Sequence, residues 1–293
     1  MSAPAAEAAG ARDATQPRSA RAEQIEALLH SGTFLTGAAI VIFWVFCAIF
    51  GPHIVPLSPY ADDLLNELSP PTLTHWFGTD QLGRDVFSRV IVGARDILIT
   101  APLATLLGTV VGTALGLITG YFRGAVDEVV SRFIDALLAL PLVIVALLVL
   151  VALGTSNITV VVVIGMVFAP IIARTVRAAV LNERALDYVS AAQLRGESAP
   201  YIMFVEILPN ILPPILVETT VRLGYAIFTV ASLSFLGFGI QPPSPDWGLT
   251  ISDNYGLIDG GFWWTVLPAA LATASLVVGV NLLADGVQSV LDQ

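Results

Sequence analysis

Asn182-Glu-Arg-Ala-Leu-Asp-Tyr-Val-Ser-Ala-Ala-Gln-Leu-Arg-Gly-Glu-Ser-Ala-Pro-Tyr-Ile-Met-Phe-Val-Glu-Ile-Leu-Pro-Asn210 separates two long apolar stretches, yet is neither apolar nor a simple turn. Connections between elements have a median length of about 4–6 residues, so this segment must carry structure of its own. No helix breaker occurs from Thr175 to Leu194. Gly196 then ends that helix, because glycine accepts the left-handed conformation common just past a helix C-terminus. Ser198 can cap a second helix, with Pro200 tolerated in its first turn. Ile202, Val205 and Leu208 line one side of it, and Pro209 and Pro213 mark entry into the next apolar stretch. The spacing predicts a helix–turn–helix at a membrane surface. Two roles fit. It can be a lever that receives work from a partner, with small Ala191 and Ala192 admitting the partner's surface, Gly196 permitting the turn and Pro209 stiffening the exit. It can equally be an amphipathic helix lying on lipid headgroups.

The surrounding sequence fixes the class. The 293 residues are 56% hydrophobic and 12% charged, with a mean hydropathy of +0.81. A soluble domain carries about 25% charged residues. A spanning helix needs about 20 mostly apolar residues, and six stretches qualify: 33–55, 97–121, 133–153, 158–181, 211–238 and 262–284. The expected fold is all-α, with six transmembrane helices and the helix–turn–helix between the fourth and fifth. Residues 1–30, rich in Ala, Arg, Ser and Glu, read as a disordered tail. Residues 31–55 read as a retained first helix, 56–94 as an outer segment and 95–293 as the core, with 182–210 as its crossing loop.

All thirteen basic residues other than histidine are arginines. A Walker A loop needs a lysine to reach the β- and γ-phosphates, so this chain cannot build one. Any ATP that drives it must be hydrolysed by a partner. Arginines favour the cytoplasmic side of a bilayer. With both termini inside, Arg12, Arg18, Arg21, Arg123, Arg132, Arg174, Arg177, Arg184 and Arg195 are cytoplasmic, and only Arg84, Arg89 and Arg95 are outside. The outer segments then carry Asp62, Asp63, Glu67, Asp80, Asp85, Asp246, Asp253 and Asp259, with Pro70-Pro71 and Pro242-Pro243. Trp263 and Trp264 fall where the sixth helix enters the bilayer, an interface that indoles favour.

Inside the apolar stretches, Glu218 and Arg222 are four residues apart, on one helix face, where they can pair. Ionisable groups at membrane depth usually face a bundle interior or an aqueous path, so they are candidates to line a translocation path; a structural pair near the cytoplasmic end is the alternative. Gly108, Gly112 and Gly116 form a small-residue stripe suited to close helix packing. Arg84, Asp85 and Arg89 read as a structural network on the outer side. The lone Cys47 reads as a packing residue. His30, His53 and His75 lack metal-ligand spacing, and no triad, nucleophile elbow or paired-carboxylate site is present. A membrane enzyme would need such a cluster. A stand-alone carrier often shows internal repeats, and none is evident.

Tyr188-Val-Ser-Ala-Ala-Gln-Leu-Arg-Gly196, followed by Ile207-Leu-Pro-Asn210, resembles the EAA motif of bacterial binding-protein-dependent ABC permeases. Ala191, Ala192, Gly196, Leu208 and Pro209 match that pattern. Ser190 stands where the family has Glu, and Asp187 one turn earlier supplies a negative charge on the same face. Phe77-Gly-Thr-Asp-Gln-Leu-Gly-Arg-Asp-Val-Phe-Ser-Arg89 with Gly93-Ala-Arg95, Leu233-Ser-Phe-Leu-Gly-Phe-Gly239 with Gln241-Pro-Pro-Ser-Pro-Asp-Trp-Gly248, and Asn281-Leu-Leu-Ala-Asp-Gly286 with Leu291-Asp292 are similar to the C-type permeases of the dipeptide/oligopeptide/nickel branch. The resemblance implies a non-enzymatic, multi-pass subunit of the bacterial inner membrane. It implies four kinds of neighbour: a second permease subunit, two ATPase subunits that use ATP and Mg, an extracytoplasmic substrate-binding protein, and the lipid bilayer. No cofactor on this chain and no nucleic-acid partner are expected. It makes Asp187, Tyr188, Ser190, Ala191, Ala192, Arg195, Gly196, Leu208 and Pro209 the ATPase-coupling element. ATP binding would then tilt the bundle between inward- and outward-facing states. Peptides are the implied cargo, with nickel complexes or another small solute as the alternative.

Overall fold

A computed structural model describes residues 28–291, and the expected tail lies outside them except for 28–30, which are helical. No strand occurs among the described residues. Helix α1 is Gly32–Ile54, started by Ser31, whose Oγ accepts from the Phe34 N–H. Helix α2 is Val86–Phe122, α3 is Gly124–Leu138 and α4 is Leu142–Leu153. Helix α5 is Asn157–Glu183, α6 is Asp187–Leu194 and α7 is Leu212–Phe235. Helix α8 is Trp247–Asn254 and α9 is Leu267–Leu291. Five of these are long and apolar enough to cross a membrane, and the bent α3–α4 pair makes a sixth if it counts as one span.

Two boundaries depart from the hydropathy reading. Helix α2 begins eleven residues before 97, because Asp85 caps it: the Ser88 N–H and Oγ–H both donate to Asp85 Oδ2, at 2.8 and 2.6 Å. Its 37 residues span about 55 Å at 1.5 Å per residue. The first turns therefore stand outside a hydrocarbon core of about 30 Å, and the segment 56–94 is only partly loop. The charges of Asp85 and Arg89 hid this helix from an apolar count.

The third stretch, 133–153, is not one straight span. Helices α3 and α4 meet at 91°. Pro141 has no N–H to continue α3; instead its carbonyl accepts from Ile144 and Val145 and starts α4. The polar side of α3 is held to α5 by ion pairs. Arg177 grips Asp127 with two bonds, at 2.5 and 2.6 Å, and Arg174 pairs with Asp135. These pairs explain how the arginines of the fourth stretch are tolerated near a bilayer.

The bundle is organised by one seam. A Cβ on Gly108, Gly112, Gly116 or Gly120 would lie 2.6–2.9 Å from Gly165 O, Ala169 O, Val176 Cβ or Val180 Cβ respectively. Contact positions rise together on both helices, so α2 and α5 run parallel. Close backbone approach between helices in lipid relies on such small residues. Helix α1 packs antiparallel on α9, where a Cβ on Gly37 would lie 2.7 Å from Gly279 O. Gly112→Leu should lower the thermal unfolding midpoint of the purified protein by the equivalent of about 1–3 kcal/mol of overpacking. Val110→Leu, at an outward-facing position of the same helix, should leave it in place. Equal midpoints for the two variants would contradict the seam.

Candidate functional site

The segment between α5 and α7 forms a bent, internally bonded strut. Helix α6 is stopped by Gly196 at φ +78°. Gly196 N–H donates to Gln193 O at 3.0 Å and Glu197 N–H to Ala192 O at 3.2 Å, the paired closure of a Schellman motif. Ser198 caps the next turn, accepting from the Tyr201 N–H at 3.4 Å. The expected second helix has only one α turn, Ala199–Tyr201, and continues as a π-helix over Ile202–Ile207. Leu208 N–H reaches Met203 O at 2.9 Å across that wider turn. The wider turn changes which side chains face inward. Ile202, Met203 and Ile207 are buried, whereas Val205, expected on the apolar side, is exposed.

Tyr188 locks the strut to both membrane helices. Its hydroxyl donates to Glu183 Oε2 at 2.6 Å, at the end of α5, and accepts from Asn210 Nδ2 at 3.1 Å, just before α7. Asn210 also donates to Glu206 O at 2.8 Å, and Arg195 to Glu206 Oε1 at 3.0 Å. Burial, and then the Glu183 bond, push the Tyr188 phenol above its ordinary range, so it stays a proton donor at neutral pH. Glu183, Glu206 and Asn210 carry no periodic signal in the sequence, and reasoning from pattern missed them.

The two alanines do different work. Ala192 and Val189 are buried against the bundle, while Ala191 is exposed. Asp187, Ser190, Ala191 and Leu194 share one face of α6 by helical spacing, and all are exposed. Leu194 is 90% exposed. Small Ala191 and bare Leu194 make this face open to a partner, with Asp187 in the place where an acidic group sits beside Ser190. Leu208 is half-buried and Pro209 exposed at the exit.

At membrane depth, Arg222 Nε donates to Glu218 Oε1 at 2.6 Å, and the two side chains are 18% and 15% exposed. The guanidinium also sits 5.0 Å from the centre of the Tyr225 ring, a cation–π arrangement. Thr219 meets Thr109 of α2 at 3.1 Å. Asn281 of α9 abuts α7 at Gly224, where a Cβ would lie 2.6 Å from Asn281 Oδ1. Glu218, Arg222, Tyr225, Thr229 and Ser232 fall on one stripe of α7.

On the opposite side, Arg89 is the centre of a buried network. Its Nη1 donates to Pro59 O at 3.1 Å, its Nη2 lies 3.4 Å from Ser244 O, and Asp80 is 3.8 Å from its Nε. Arg84 Nε donates to Asp80 Oδ2 at 2.8 Å. His75 Nδ1 lies 3.0 Å from Asp85 Oδ1. Trp247 is fully buried, donating to Val90 O at 2.8 Å. Arg84 and Arg89 thus meet at Asp80, while Asp85, expected in the same network, turns to Ser88 and His75; Arg89 ties the 56–94 segment to α8 through Thr250. Asp246 caps α8, accepting from the Leu249 N–H at 2.9 Å, and burial pushes its carboxyl up to about 6. A raised carboxyl binds its proton more tightly in the folded state. Its favourable contribution is present below the unfolded value and is lost as pH rises through about 6. Asn caps a helix as well as Asp, so Asp246→Asn should raise the unfolding midpoint near pH 8 while changing it little near about pH 4. A midpoint lowered equally at both would contradict this.

The sequence matches known proteins over most of its length. Residues 112–293 match the family described as binding-protein-dependent transport system inner membrane component, and residues 23–71 match the N-terminal TM domain of oligopeptide transport permease C. The chain is 33% identical to the probable D,D-dipeptide transport system permease protein DdpC of Escherichia coli (strain K12), over 98% of this chain and 96% of that one. It is 34% identical to the di/tripeptide transport system permease protein DppC of Pseudomonas aeruginosa (strain UCBPP-PA14), over 91% and 90%. It is 35% identical to the dipeptide transport system permease protein DppC of Bacillus subtilis (strain 168), over 88% and 81%. An inward-facing structure of the MetNI methionine ABC transporter shares the fold, with a TM-score of 0.57, 21% identity, and coverage of 69% of this chain and 96% of that one. The chain belongs to the family of binding-protein-dependent transport system inner membrane components, and it is a multi-pass inner-membrane permease subunit rather than an enzyme.

Proposed function

We propose that this chain is one half of the membrane channel of an ATP-driven peptide importer. The strut around Gly196 is its coupling element and both termini are cytoplasmic. The curated relatives it matches are named as di- and tripeptide permeases, which supports peptide cargo over nickel complexes or another small solute. In this reading a second permease subunit completes the path. Two ATPase subunits, using ATP and Mg, dock under α6, and a binding protein delivers peptide from outside.

The observation that carries the reading is the Tyr188 latch. A push on the exposed α6 face, Asp187, Ser190, Ala191 and Leu194, passes through Val189 and Ala192 into the core. It passes through Tyr188 into the ends of both α5 and α7. Arg195, Gly196, Leu208 and Pro209 hold the bend that makes the strut stiff. Helix α7 carries Glu218 and Arg222, so movement of the strut moves the polar stripe on which cargo would travel.

Two variants separate docking from transmission in vesicles containing the full complex. Leu194→Glu places a charge on the docking face and should release the ATPases from the purified complex, abolishing uptake. Tyr188→Phe keeps that face, so the ATPases should stay bound and hydrolyse ATP while peptide uptake falls. Full uptake by both variants would remove strut coupling. Replacing Glu218 and Arg222 together by Ala should reduce peptide uptake at normal expression with ATPase docking unchanged; normal uptake would take the pair out of the path.

A further inference from the structure

Three arginines occupy the outer layer, and two of them are engaged: Arg84 by Asp80, and Arg89 by the network around Pro59 and Ser244. Arg95 is exposed and makes no ion pair or hydrogen bond among the described residues. Its helical neighbours one turn away are Ile91 and Ile99, and the adjacent Asp96 is turned to Ser244. An unengaged guanidinium on a membrane protein needs water or an anion.

Arg95 stands where two grooves meet. The lower groove, of about 660 Å³, runs between α1 and α2, walled by Val45, Ala48, Leu98, Ile99 and Pro102, with Leu223 of α7 at its side. Its only charged or titratable groups are Arg95 and His53 at the outer end. The upper groove, of about 500 Å³, lies against the chain that leaves α1, walled by Pro56, Pro59 and Tyr60, and it too includes Arg95. The close approach of Gly51 to Ile91 sets the antiparallel register of α1 and α2. It puts Arg95 beside Ala48, about two turns below the end of α1. From there the long side chain reaches up to the 56–60 loop, the posture of an arginine at a hydrocarbon edge.

An apolar slot below, a slot above that carries Ser58 and Tyr60, and the exposed Arg95 between them match an amphiphile with an anionic head. We propose that this junction binds an anionic phospholipid of the leaflet facing the 56–94 segment, with its phosphate on Arg95 and an acyl chain between α1 and α2. A guanidinium takes a phosphate through two parallel hydrogen bonds, which an ammonium cannot copy. The site is independent of which cargo the importer carries.

The test uses the intact complex with its partner subunits in nanodiscs of phosphatidylcholine containing a minor fraction of phosphatidylglycerol. Lipid retained on the released complex is weighed by native mass spectrometry. Wild type should retain phosphatidylglycerol over phosphatidylcholine. Arg95→Gln should lose that retention roughly tenfold, and Arg95→Lys should fall between them. Val45→Trp, which fills the lower groove without touching charge, should lose it as well. A photo-crosslinking residue at Leu98 should label lipid. Undiminished phosphatidylglycerol on Arg95→Gln would overturn the proposal, and so would a Leu98 cross-link to the second permease subunit or to peptide. An unchanged unfolding midpoint of Arg95→Gln in pure phosphatidylcholine ties the loss to the lipid rather than to folding.

Discussion

Backbone against backbone along α2 and α5 is the constraint from which the rest of this molecule follows. In hydrocarbon, association between helices cannot draw on water exclusion and depends on packing and buried polar contacts. The glycines from Gly108 to Gly120, set against Gly165, Ala169, Val176 and Val180, let two parallel helices touch along most of α5. Parallel helices need a return crossing between them, and α3 with α4 supplies it. Because α5 is held along its length, its C-terminal end, where Glu183 sits, is fixed relative to α2. The strut that begins there inherits a rigid base.

From that base the chain makes a closed mechanical loop. Glu183, Tyr188 and Asn210 join the end of one membrane helix to the start of another through a single hydroxyl. The Schellman closure at Gly196 and the π-helix through Ile207 set the angle of the bend. Rigid elements with few alternative packings move as units. The network around Arg89 and Trp247 is the counterpart at the far end, holding the start of α2 to the loop that follows α7. Helix α7 is thus gripped at both ends, with its polar stripe between them.

Much of this was legible from residue order. Apolar stretches of spanning length located most of the helices, and the Ala-Ala…Gly…Leu-Pro spacing located the strut. Gly108, Gly112 and Gly116 announced the seam, and the same four-residue spacing would have added Gly120. Three features were hidden for physical reasons. The early start of α2 was masked because Asp85 and Arg89 are charged yet buried, held by His75, Asp80 and the carbonyls of Pro59 and Ser244. The bend at Pro141 lay inside an unbroken apolar run, where a hydropathy window gives proline no weight. The π-helix and the Tyr188 latch depend on side chains meeting across a turn, which no period of 3.6 or 2 records. Ala191 and Ala192 show the same limit: neighbours in a motif, they face opposite ways, one outward and one into the core.

Coupling through the strut requires contact between the α6 face and a nucleotide-hydrolysing subunit. Cys47 is buried and is the only cysteine, so Leu194→Cys offers a single accessible thiol. In inside-out vesicles holding the whole complex, a short bifunctional thiol–amine reagent should join Leu194→Cys to an ATPase subunit. A membrane-impermeant maleimide added to right-side-out vesicles should leave it unlabelled. Labelling from the outside, or a thiol that reacts freely with no ATPase attached, would contradict the account.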